Sequence, residues 1–561
     1  MSYLFRKRAA ALYCIFILMF IGLAGRMAYI QIYQGDRLSR MAVSQQSQAV
    51  SLETPARGQI LDRNLKPLIS YREIWRAAVF ADAIGNKRYA ADILADVLGI
   101  DLKLASSYLV GKAQLIPIDL NSQQAARLSE LPIPGIVVAK VRERLRKPAI
   151  ASHLLGYVGK DGPNAWNGKM GIELYYDGDL SSAQPLSTVR AYFDGRGSFI
   201  SGIGFPVENK LTDPDRGNVV LTIDRDIQEI VEKSMDKAGV TDGAVVIMDA
   251  RNGDILATAS RPDYSLDNST LHTLDNKVTD LVYSSAYTHK ESFLNNALSF
   301  YQPGSVFKII VAAAALEEGV VQPEQVFLCT GDKDDLVRCY LASGHGLLTF
   351  AQAFADSCNP TFARVGLNLG PDNLIKYGIK FGLGNAGIIG YRTGDTTEKL
   401  NRIAQRYSMV NASLGQWPVE ATVVQLTAMT AVIANDGNYT EPRLVREVRT
   451  SGGAVTRTFE QGRAVRAVSL NTAEIMQTLM EGVTRYGTGQ QAWVETWGSA
   501  GKTGSAQVSS QKTDAWFSGY APLKEPRYVA TVLINNAESG GKNAAPVFRK
   551  IMTEILKNEN R

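Results

Sequence analysis

The residues Gln302-Pro303-Gly304-Ser305-Val306-Phe307-Lys308 decide the fold and the chemistry that this sequence predicts. They lead into the apolar residues 309–316, which have high helix propensity. The proline and glycine end the preceding segment, so Ser305 is predicted in the first turn of a helix. Lys308 lies three residues later and shares a helix face with Ser305. Its amine can then approach the Ser305 hydroxyl, and apolar neighbours that desolvate the amine lower its pKa enough for it to act as a base.

This serine–lysine spacing is weak evidence by itself. It also occurs at Ser509 and Lys512, and about two such matches are expected by chance in a chain of this length. The alternative for Ser305 is a serine that caps a helix. A catalytic role for Ser305 is supported only in combination with the two motifs that follow it in the chain.

A second motif, Asp356-Ser357-Cys358-Asn359-Pro360, lies between two segments with helical patterns, residues 348–355 and 361–369. Ser357 and Asn359 are two residues apart in a tight turn and can point the same way. The hydroxyl is suited to pass a proton, and the carboxamide is suited to hold an amide of a substrate. Asp, Ser, Asn and Pro also form ordinary caps and turns, so this motif alone indicates no function.

The third motif is Gly501-Lys502-Thr503-Gly504-Ser505-Ala506-Gln507. A phosphate-binding loop would need glycine at position 496, where the chain has Thr496, and no helical pattern follows the motif. The residues fit the edge of a strand instead. There Lys502 and Thr503 are predicted to bind a carboxylate, and Gly504, which lacks a side chain, lets a substrate backbone lie against the strand.

The remaining pattern predicts an α+β fold. Apolar runs typical of strands occur at residues 218–223, 243–248, 255–259, 516–520 and 528–534. The second and third runs are joined by a turn and predict a hairpin, and the fourth is expected to pair beside the third motif. Residues 303–440 are mostly helical by pattern, and a final helix covers residues 548–556. Strands on either side of helices predict an α+β or three-layer domain.

The N-terminus predicts a membrane anchor. Arg6-Lys7-Arg8 precedes residues 9–25, which carry no charge, and the apolar pattern continues to Ile32. Basic residues before the apolar run place the N-terminus in the cytoplasm. A cleaved signal peptide is the alternative, since Gly22-Leu23-Ala24 resembles a cleavage site. With a retained anchor, about 530 residues lie outside the cytoplasmic membrane, where thiols can oxidise.

Composition excludes several classes of protein. The 561 residues are 45% hydrophobic and 20% charged, as in folded proteins of more than one domain. The net charge of +5 is spread along the chain without dense basic runs, so nucleic acid is not an expected partner. Cys and His show no paired spacing typical of zinc, so neither a metal nor another cofactor is expected.

The cysteines predict one local link. Cys329 and Cys339 flank residues 330–338 of the exported part, and this spacing permits a disulfide around an exposed loop. Cys14 falls in the predicted anchor, and Cys358 is expected to pack beside the second motif. His345, between two glycines, is expected to be structural.

The three motifs occur in the order SxxK, SxN and KTG, which resembles the penicillin-recognising serine acyltransferases. More narrowly, the chain resembles a class B penicillin-binding protein, a monofunctional bacterial peptidoglycan transpeptidase with a membrane anchor and a pedestal domain. Three further segments resemble pedestal motifs of that family, residues 57–64, 153–159 and 168–173. Cys358 departs from the aspartate of the SxN pattern and leaves the serine and asparagine in place.

The resemblance implies a fold and a domain order. A cytoplasmic tail at residues 1–8 and a transmembrane anchor at 9–32 precede a juxtamembrane segment and an elongated pedestal, or dimerisation-type, domain at 33–217. Residues 218–561 form the transpeptidase domain, an antiparallel sheet with helices on both faces as in β-lactamases. Residues 194–217 are rich in Gly, Asp and Pro, which supports a boundary near Gly217.

The resemblance also implies the role of each site residue. Ser305 attacks the D-Ala-D-Ala carbonyl of a peptidoglycan stem peptide, and Lys308 takes its proton. Ser357 returns a proton to the leaving D-Ala, while Asn359 holds the donor peptide. Lys502 and Thr503 hold the terminal carboxylate of the donor, and Gly504 lets the substrate backbone lie against the strand. The backbone N–H groups of Ser305 and Ser505 form the oxyanion hole.

The implied partners are stem peptides of lipid II-derived glycan, β-lactams that acylate Ser305, the membrane, and a polytopic glycan polymerase with other wall-synthesis proteins. Two alternatives share the motifs: a β-lactam sensor or β-lactamase, and a non-catalytic scaffold of the wall-synthesis complex. A β-lactamase needs an additional base for rapid deacylation, and none is identified in the sequence. These residues do not separate division, elongation and sporulation as the stage of action.

Overall fold

The computed structural model describes residues 3–35, 37–38, 46–54, 56–131, 133–145, 150–160, 166–181, 185–209, 216–264, 293–392, 394–405, 408–507 and 512–559. Ser509, the second serine with SxxK spacing, lies outside these residues. Contacts along the chain divide it into two compact, discontinuous units. Unit 1 contains residues 1–56, 71–144 and 183–212, and unit 2 contains residues 57–70, 145–182 and 213–561. The boundary near Gly217 stays a prediction.

The N-terminal helix Tyr3–Ala28 continues as the π-helical turn Tyr29–Tyr33. Its stretch Lys7–Tyr33 is 27 residues long and apolar enough to cross a membrane, and it is the one such helix among the described residues. None of its apolar window is buried in protein. The helix therefore fits the predicted single-pass anchor, while a signal sequence passes the same test of length and composition.

Besides the N-terminal helix, the described residues of unit 1 include two small sheets and three helices. An antiparallel sheet has the strand order Ser47–Ser51, Ser187–Tyr192 and Val207–Asn209. A four-stranded sheet has the order Glu53–Thr54, Ile136–Leu145, Ser70–Val79 and Gln114–Leu115. The helices are Lys87–Leu98, Leu102–Ser107 and Ser122–Glu130. An asparagine side chain caps the N-terminus of the first and of the last of these helices.

The centre of unit 2 is a five-stranded antiparallel sheet. Its strands follow the order Ile255–Arg261, Gly243–Asp249, Tyr528–Ile534, Thr513–Ala521 and Ala500–Gln507. The predicted hairpin between the first two strands is confirmed. Ala500–Gln507, here named the KTG strand, is an edge strand that pairs with Thr513–Ala521, as the sequence pattern predicted.

Helices cover both faces of this sheet. Along Gly243–Asp249, Ala244, Val246 and Met248 face one hydrophobic cluster, and Val245 and Ile247 face another. The first cluster includes the helix Val423–Ala434, which is buried along its whole length and apolar all round. The second includes the helices Arg225–Lys237 and Ala545–Glu559. The predicted α+β class, with helices on both faces of an antiparallel sheet, is confirmed.

Shorter elements complete unit 2. A four-stranded sheet has the order Val455–Thr458, Val445–Thr450, Gly217–Leu221 and Ile60–Leu61, with the last pair parallel. The helices of the middle region include Lys308–Glu317, Phe350–Ala355, Asn359–Leu369, Pro371–Lys380, Thr397–Asn401, Met409–Ser413 and Leu470–Arg485. Two-stranded pairs join Val158–Lys160 to Trp166–Gly168, Val326–Cys329 to Gly346–Thr349, and Asn438–Tyr439 to Val465–Arg466.

Arg57 forms a buried ion pair within unit 2. Its guanidinium lies 2.6 Å from the Glu173 carboxylate and donates to the Glu173 carbonyl oxygen at 2.7 Å. Both side chains are 1% exposed. The guanidinium also lies 2.7 Å from the part-exposed Asp177 carboxylate. Removal of Glu173 takes away the fully buried partner of this charge, which is strongly destabilising.

We expect Glu173→Ala to lower the free energy of unfolding by about 3–5 kcal/mol. Urea unfolding followed by tryptophan fluorescence measures this change. The matched control is Asp226→Ala, which breaks the exposed pair of Asp226 and Lys66. An exposed pair contributes about 0–1 kcal/mol, so equal effects of the two variants would contradict the assignment.

Candidate active site

Ser305 lies in a short 3-10 turn, Gly304–Phe307, here named the serine turn. The α-helix Lys308–Glu317 begins directly after it. The predicted helical turn at Ser305 is therefore present, and it is a 3-10 turn that leads into the α-helix. Side chains at positions i and i+3 eclipse each other in a 3-10 helix, so Ser305 and Lys308 still share a face. The turn is fixed by the Gly304 N–H, which donates to the Gly415 carbonyl oxygen at 2.9 Å.

Lys308 joins the first motif to the second. Its side chain is fully buried, and Nζ donates to the Ser357 carbonyl oxygen at 2.9 Å and to Asn359 Oδ1 at 2.8 Å. The Ser357 hydroxyl lies 3.4 Å from the same nitrogen. Among the described residues, the amine forms no hydrogen bond to the Ser305 hydroxyl, which is half-buried. Hydrogen bonds of catalytic pairs are often long before substrate binds.

Burial lowers the pKa of the Lys308 amine from 10.5 to about 7. The thiols of Cys358 and Cys339 act in the opposite direction, but desolvation of the amine is the larger effect. Lys308 is therefore neutral in a substantial fraction of molecules at neutral pH. A neutral amine beside a serine can accept a proton, which an ordinary lysine at this pH cannot do.

The second motif forms a strained connection between two helices, here named the SxN loop (residues 356–359). Ser357 has φ +56°, a left-handed conformation that is uncommon for serine and costs about 1–3 kcal/mol. Its N–H donates to the Phe354 carbonyl oxygen at 3.2 Å. Asn359 is the first residue of the helix Asn359–Leu369, with proline following it in the first turn. This geometry turns the Ser357 carbonyl and the Asn359 carboxamide to the Lys308 amine.

Lys502 lies on the KTG strand and is fully buried. Its Nζ donates to the Thr503 carbonyl oxygen at 3.2 Å and lies 5.7 Å from the centre of the Phe354 ring. Burial, and next the charge of Lys308, hold the pKa of the Lys502 amine well below its usual range. A buried amine that forms one hydrogen bond within the described residues is poised to accept an anion, because a carboxylate favours the protonated form.

Gly504 is required for contact between the KTG strand and the serine turn. A Cβ atom at this position would lie 2.9 Å from the Pro303 carbonyl oxygen and 3.0 Å from Val306 Cγ2. The sequence reasoning gave the glycine a different task, close approach of a substrate backbone. In the structure, the missing side chain first lets the strand reach the turn that carries Ser305.

Thr503 and Ser505 point to different surroundings. The Thr503 hydroxyl shares a 2.6 Å hydrogen bond with the Thr488 hydroxyl. Ser505 is exposed, and its hydroxyl accepts from the Gly540 N–H at 3.2 Å. The roles predicted for these side chains remain predictions.

Sequence reasoning missed two residues of this region. The Thr488 N–H donates to the Ala355 carbonyl oxygen at 3.1 Å, so Thr488 links the helix before the SxN loop to Thr503. Burial raises the pKa of the Asp356 carboxyl, and the charges of His345 and Lys502 oppose that rise. Thr488 lies outside the three motifs, and Asp356, although it is the first residue of the second motif, was given no role from the sequence.

The predicted disulfide between Cys329 and Cys339 is not formed, because both are free, buried thiols. Their sulfurs lie 3.4 and 3.5 Å from His345 Nδ1. Cys358, the middle residue of the SxN motif, belongs to the same cluster. The sulfurs of Cys329 and Cys339 lie close to the His345 imidazole and to the Cys358 sulfur. Their spacing in the sequence alone therefore did not show how these cysteines interact.

Family comparisons place the chain in a known group. The model of the penicillin binding protein transpeptidase domain matches residues 243–553, which is more than half of the chain. The chain belongs to the penicillin-binding protein transpeptidases. The model of the penicillin-binding protein dimerisation domain matches residues 52–201. Together, the two matches confirm the predicted resemblance to class B penicillin-binding proteins.

Individual relatives of this penicillin-binding protein align over nearly all of it. Stage V sporulation protein D of Bacillus subtilis is 29% identical over 98% of this chain and 85% of its own length. Peptidoglycan D,D-transpeptidase FtsI of Escherichia coli is 26% identical over 98% of this chain and 92% of its own. Among solved structures, the D,D-transpeptidase domain of a peptidoglycan glycosyltransferase from Eggerthella lenta is 27% identical, with a TM-score of 0.59 over 75% of this chain and 93% of that one.

Proposed function

We propose that this penicillin-binding protein is a peptidoglycan D,D-transpeptidase that works through an acyl-enzyme on Ser305. The observation that carries the proposal is the Lys308 amine, which is buried, has a pKa of about 7 and contacts both residues of the SxN motif. The names of the relatives support the same reaction, since FtsI is a peptidoglycan D,D-transpeptidase.

In the first step, the neutral Lys308 amine takes the proton of the Ser305 hydroxyl as the oxygen attacks the carbonyl between the two D-Ala residues of a stem peptide. The tetrahedral intermediate collapses, the C–N bond breaks, and an ester to Ser305 remains. The leaving amine of D-Ala needs a proton. Ser357 supplies it, and the nearby protonated Lys308 replaces that proton across the 3.4 Å contact.

In the second step, an amine of a neighbouring stem peptide attacks the ester carbonyl. The amine loses a proton to the same lysine and serine pair, and the Ser305 oxygen leaves as a hydroxyl. The product is a cross-linking amide bond, and the enzyme returns to its starting state. Atoms and charges balance without a metal or another cofactor in the reaction.

The KTG strand supplies the binding side of the reaction. Lys502 and Thr503 hold the terminal carboxylate of the donor, which restores the positive charge that burial disfavours on the lysine. Thr488 orients the Thr503 hydroxyl through their 2.6 Å contact. The backbone N–H groups of Ser305 and Ser505 form the oxyanion hole, and each such donor contributes about 3 kcal/mol to the transition state. Asn359 holds the donor peptide.

The same proposal gives the protein a location. Arg6, Lys7 and Arg8 precede the uncharged part of the N-terminal helix and keep the N-terminus in the cytoplasm, so the catalytic domain lies on the other side of the membrane. The spanning helix is then free to contact a polytopic glycan polymerase that supplies lipid-linked glycan. β-Lactams resemble the D-Ala-D-Ala end of the stem and acylate Ser305 in its place.

Two other functions are less well supported. A β-lactamase or β-lactam sensor carries the same motifs, but we identify no additional base that would deacylate Ser305 rapidly. A non-catalytic scaffold would have no need of a desolvated lysine beside the SxN motif, because burying an amine costs free energy.

Cross-link formation tests the proposed function. The full chain in detergent micelles receives glycan strands that carry pentapeptide stems, and chromatography follows cross-linked products and free D-Ala. We expect both to rise together and to stop after addition of a β-lactam. Rapid hydrolysis of the β-lactam, or binding of it without any release of D-Ala, would favour one of the alternatives.

The rate of acylation is expected to depend on pH because Lys308 must be neutral to act as a base. Below its pKa of about 7, each pH unit lowers the neutral fraction about tenfold, so the rate falls with decreasing pH and is half-maximal near pH 7. Lys502, Cys339 and Cys358 are the charged or titratable groups that influence this amine or face it. Stopped-flow acylation by a fluorescent penicillin over a pH series measures the profile, and a rate that is independent of pH around neutrality would contradict it.

A further inference from the structure

Four side chains outside the proposed reaction converge beneath the SxN loop. They are Cys329, Cys339, His345 and Cys358, and their potential ligand atoms all lie within 4.8 Å of one another. The three cysteines are buried, with exposed fractions of 1%, 6% and 0%. No step of the proposed transfer uses any of them.

The distances match the requirements of a tetrahedral zinc ion. With Zn–S bonds of about 2.3 Å and a Zn–N bond of about 2.0 Å, ligand atoms at the corners of a tetrahedron are about 3.5–3.8 Å apart. His345 Nδ1 lies 3.4 Å from the Cys329 sulfur and 3.5 Å from the Cys339 sulfur. We propose that Cys329, Cys339, His345 and Cys358 bind one structural Zn²⁺ ion that holds the SxN loop in position.

The ligand set selects the metal. Three thiolates and one imidazole are one of the standard combinations of structural zinc sites, and four protein ligands leave no open position for catalysis. Thiolates are soft ligands that do not suit Mg²⁺ or Ca²⁺. A disulfide between Cys329 and Cys339 would use only two of the four groups and leave Cys358 and His345 without a function.

Neighbouring groups orient the ligands in the way that metal sites require. His345 presents Nδ1 to the sulfurs, while its Nε2 lies 3.4 Å from the Tyr340 hydroxyl. The Thr361 hydroxyl donates to the Cys358 sulfur at 3.3 Å. Such outer contacts fix the tautomer of the histidine and favour charged thiolates.

Two glycines bring the ligand loop back on itself. Gly331 and Gly344 both have φ +75°. A Cβ atom at Gly331 would lie 2.1 Å from the Ala342 carbonyl oxygen, and one at Gly344 would lie 2.3 Å from the Cys329 carbonyl oxygen. Only glycine fits these positions, and the resulting turn places Cys329 beside His345.

The position of Cys358 connects the metal to the active site. This cysteine lies between Ser357 and Asn359, the two residues that hydrogen-bond to Lys308. A zinc–thiolate bond at Cys358 fixes the chain between them and offsets the strain at Ser357. The ion is therefore a positioning element for Lys308 and the SxN loop, and this part of the proposal rests on the proposed function.

Metal content is the first test. The full chain is purified from membranes in detergent without chelator or added metal, and zinc is measured by inductively coupled plasma mass spectrometry. We expect one zinc per chain, also in the control variant Cys14→Ser, whose cysteine lies outside the cluster. The double variant Cys329→Ser/Cys339→Ser is expected to lose at least nine-tenths of the metal, because two of the four ligands are gone. Zinc-free protein, equal zinc in both variants, or a Cys329–Cys339 disulfide in native protein would overturn the proposal.

A second measurement uses only the wild-type protein, so its result does not depend on whether a variant folds. Wild-type protein is stripped with a chelator and reconstituted with Co²⁺. We expect intense visible bands of tetrahedral cobalt and near-ultraviolet bands of thiolate-to-cobalt charge transfer. Weak bands of octahedral cobalt, without charge transfer, would overturn the ligand assignment.

The rate of acylation tests whether the zinc ion positions the SxN loop and Lys308. Stripping the zinc is expected to slow acylation by a fluorescent penicillin on the order of 10²-fold, because small displacements of catalytic groups cost this much. Zn²⁺ restores the rate and Mg²⁺ does not. An unchanged rate after zinc removal would refute the positioning role. Absence of acylation in both forms of a zinc-containing protein would instead count against the proposed function.

Discussion

Ser305→Ala is expected to abolish covalent labelling by a fluorescent penicillin and release of D-Ala. The hydroxyl oxygen is the atom that forms the acyl bond in the proposed reaction. Loss of an activated serine nucleophile lowers turnover on the order of 10⁶-fold, which is below detection in a gel assay. Fluorescence of the protein band after electrophoresis measures the labelling.

The matched control is Ser299→Ala. The Ser299 hydroxyl donates to the Asn295 carbonyl oxygen outside the proposed site, so labelling should remain. Both variants should unfold at similar temperatures to the parent protein, because Ser305 is half-buried and forms no side-chain hydrogen bond within the described residues. Persistent labelling of the Ser305→Ala protein would place the nucleophile elsewhere.

Lys308→Met is expected to slow acylation about 10²–10⁴-fold, the range over which a general base contributes. Methionine has a similar length and suits a buried apolar position, so the main loss is the proton acceptor. The Ser357 carbonyl oxygen and Asn359 Oδ1 lose a donor, and unpaired buried acceptors cost about 1–3 kcal/mol of stability. The slow reaction that remains should no longer change with pH around neutrality.

Stopped-flow acylation and thermal unfolding together separate these effects. Lys376→Met serves as the control, since Lys376 is an exposed lysine paired with Glu318. Its acylation rate and pH profile should equal those of the parent protein. If Lys308→Met retained the pH-dependent step, another group would have to be the base.

The main features of the fold were readable in the sequence. Alternating or continuous apolar runs predicted the strands Gly243–Asp249, Ile255–Arg261 and Tyr528–Ile534, because strands with two covered faces need apolar residues on both. The KTG strand was also predictable, since Thr496 in place of a glycine and the lack of a helical pattern after the motif excluded a phosphate-binding loop. These features depend on neighbours in sequence, where local patterns carry information.

Features that depend on contacts between residues far apart in the chain could not be predicted from the sequence. The serine turn is held by the Gly304 N–H, which bonds to the Gly415 carbonyl oxygen more than a hundred residues away. Gly504 is needed because the KTG strand packs against that turn, a contact across two hundred residues. Cys329 ends a strand, Cys339 lies in an irregular loop, and Cys358 precedes a helix. Because these positions follow no regular spacing, the sequence did not predict that His345 approaches the cysteine sulfurs.

Peptide mapping by mass spectrometry tests the central claim most directly. The full chain is incubated with benzylpenicillin, digested, and searched for a peptide that carries the mass of the opened β-lactam. The account predicts a single long-lived adduct on Ser305, which forms far more slowly in Lys308→Met. A stable adduct on another residue, or none on a folded protein, would contradict it.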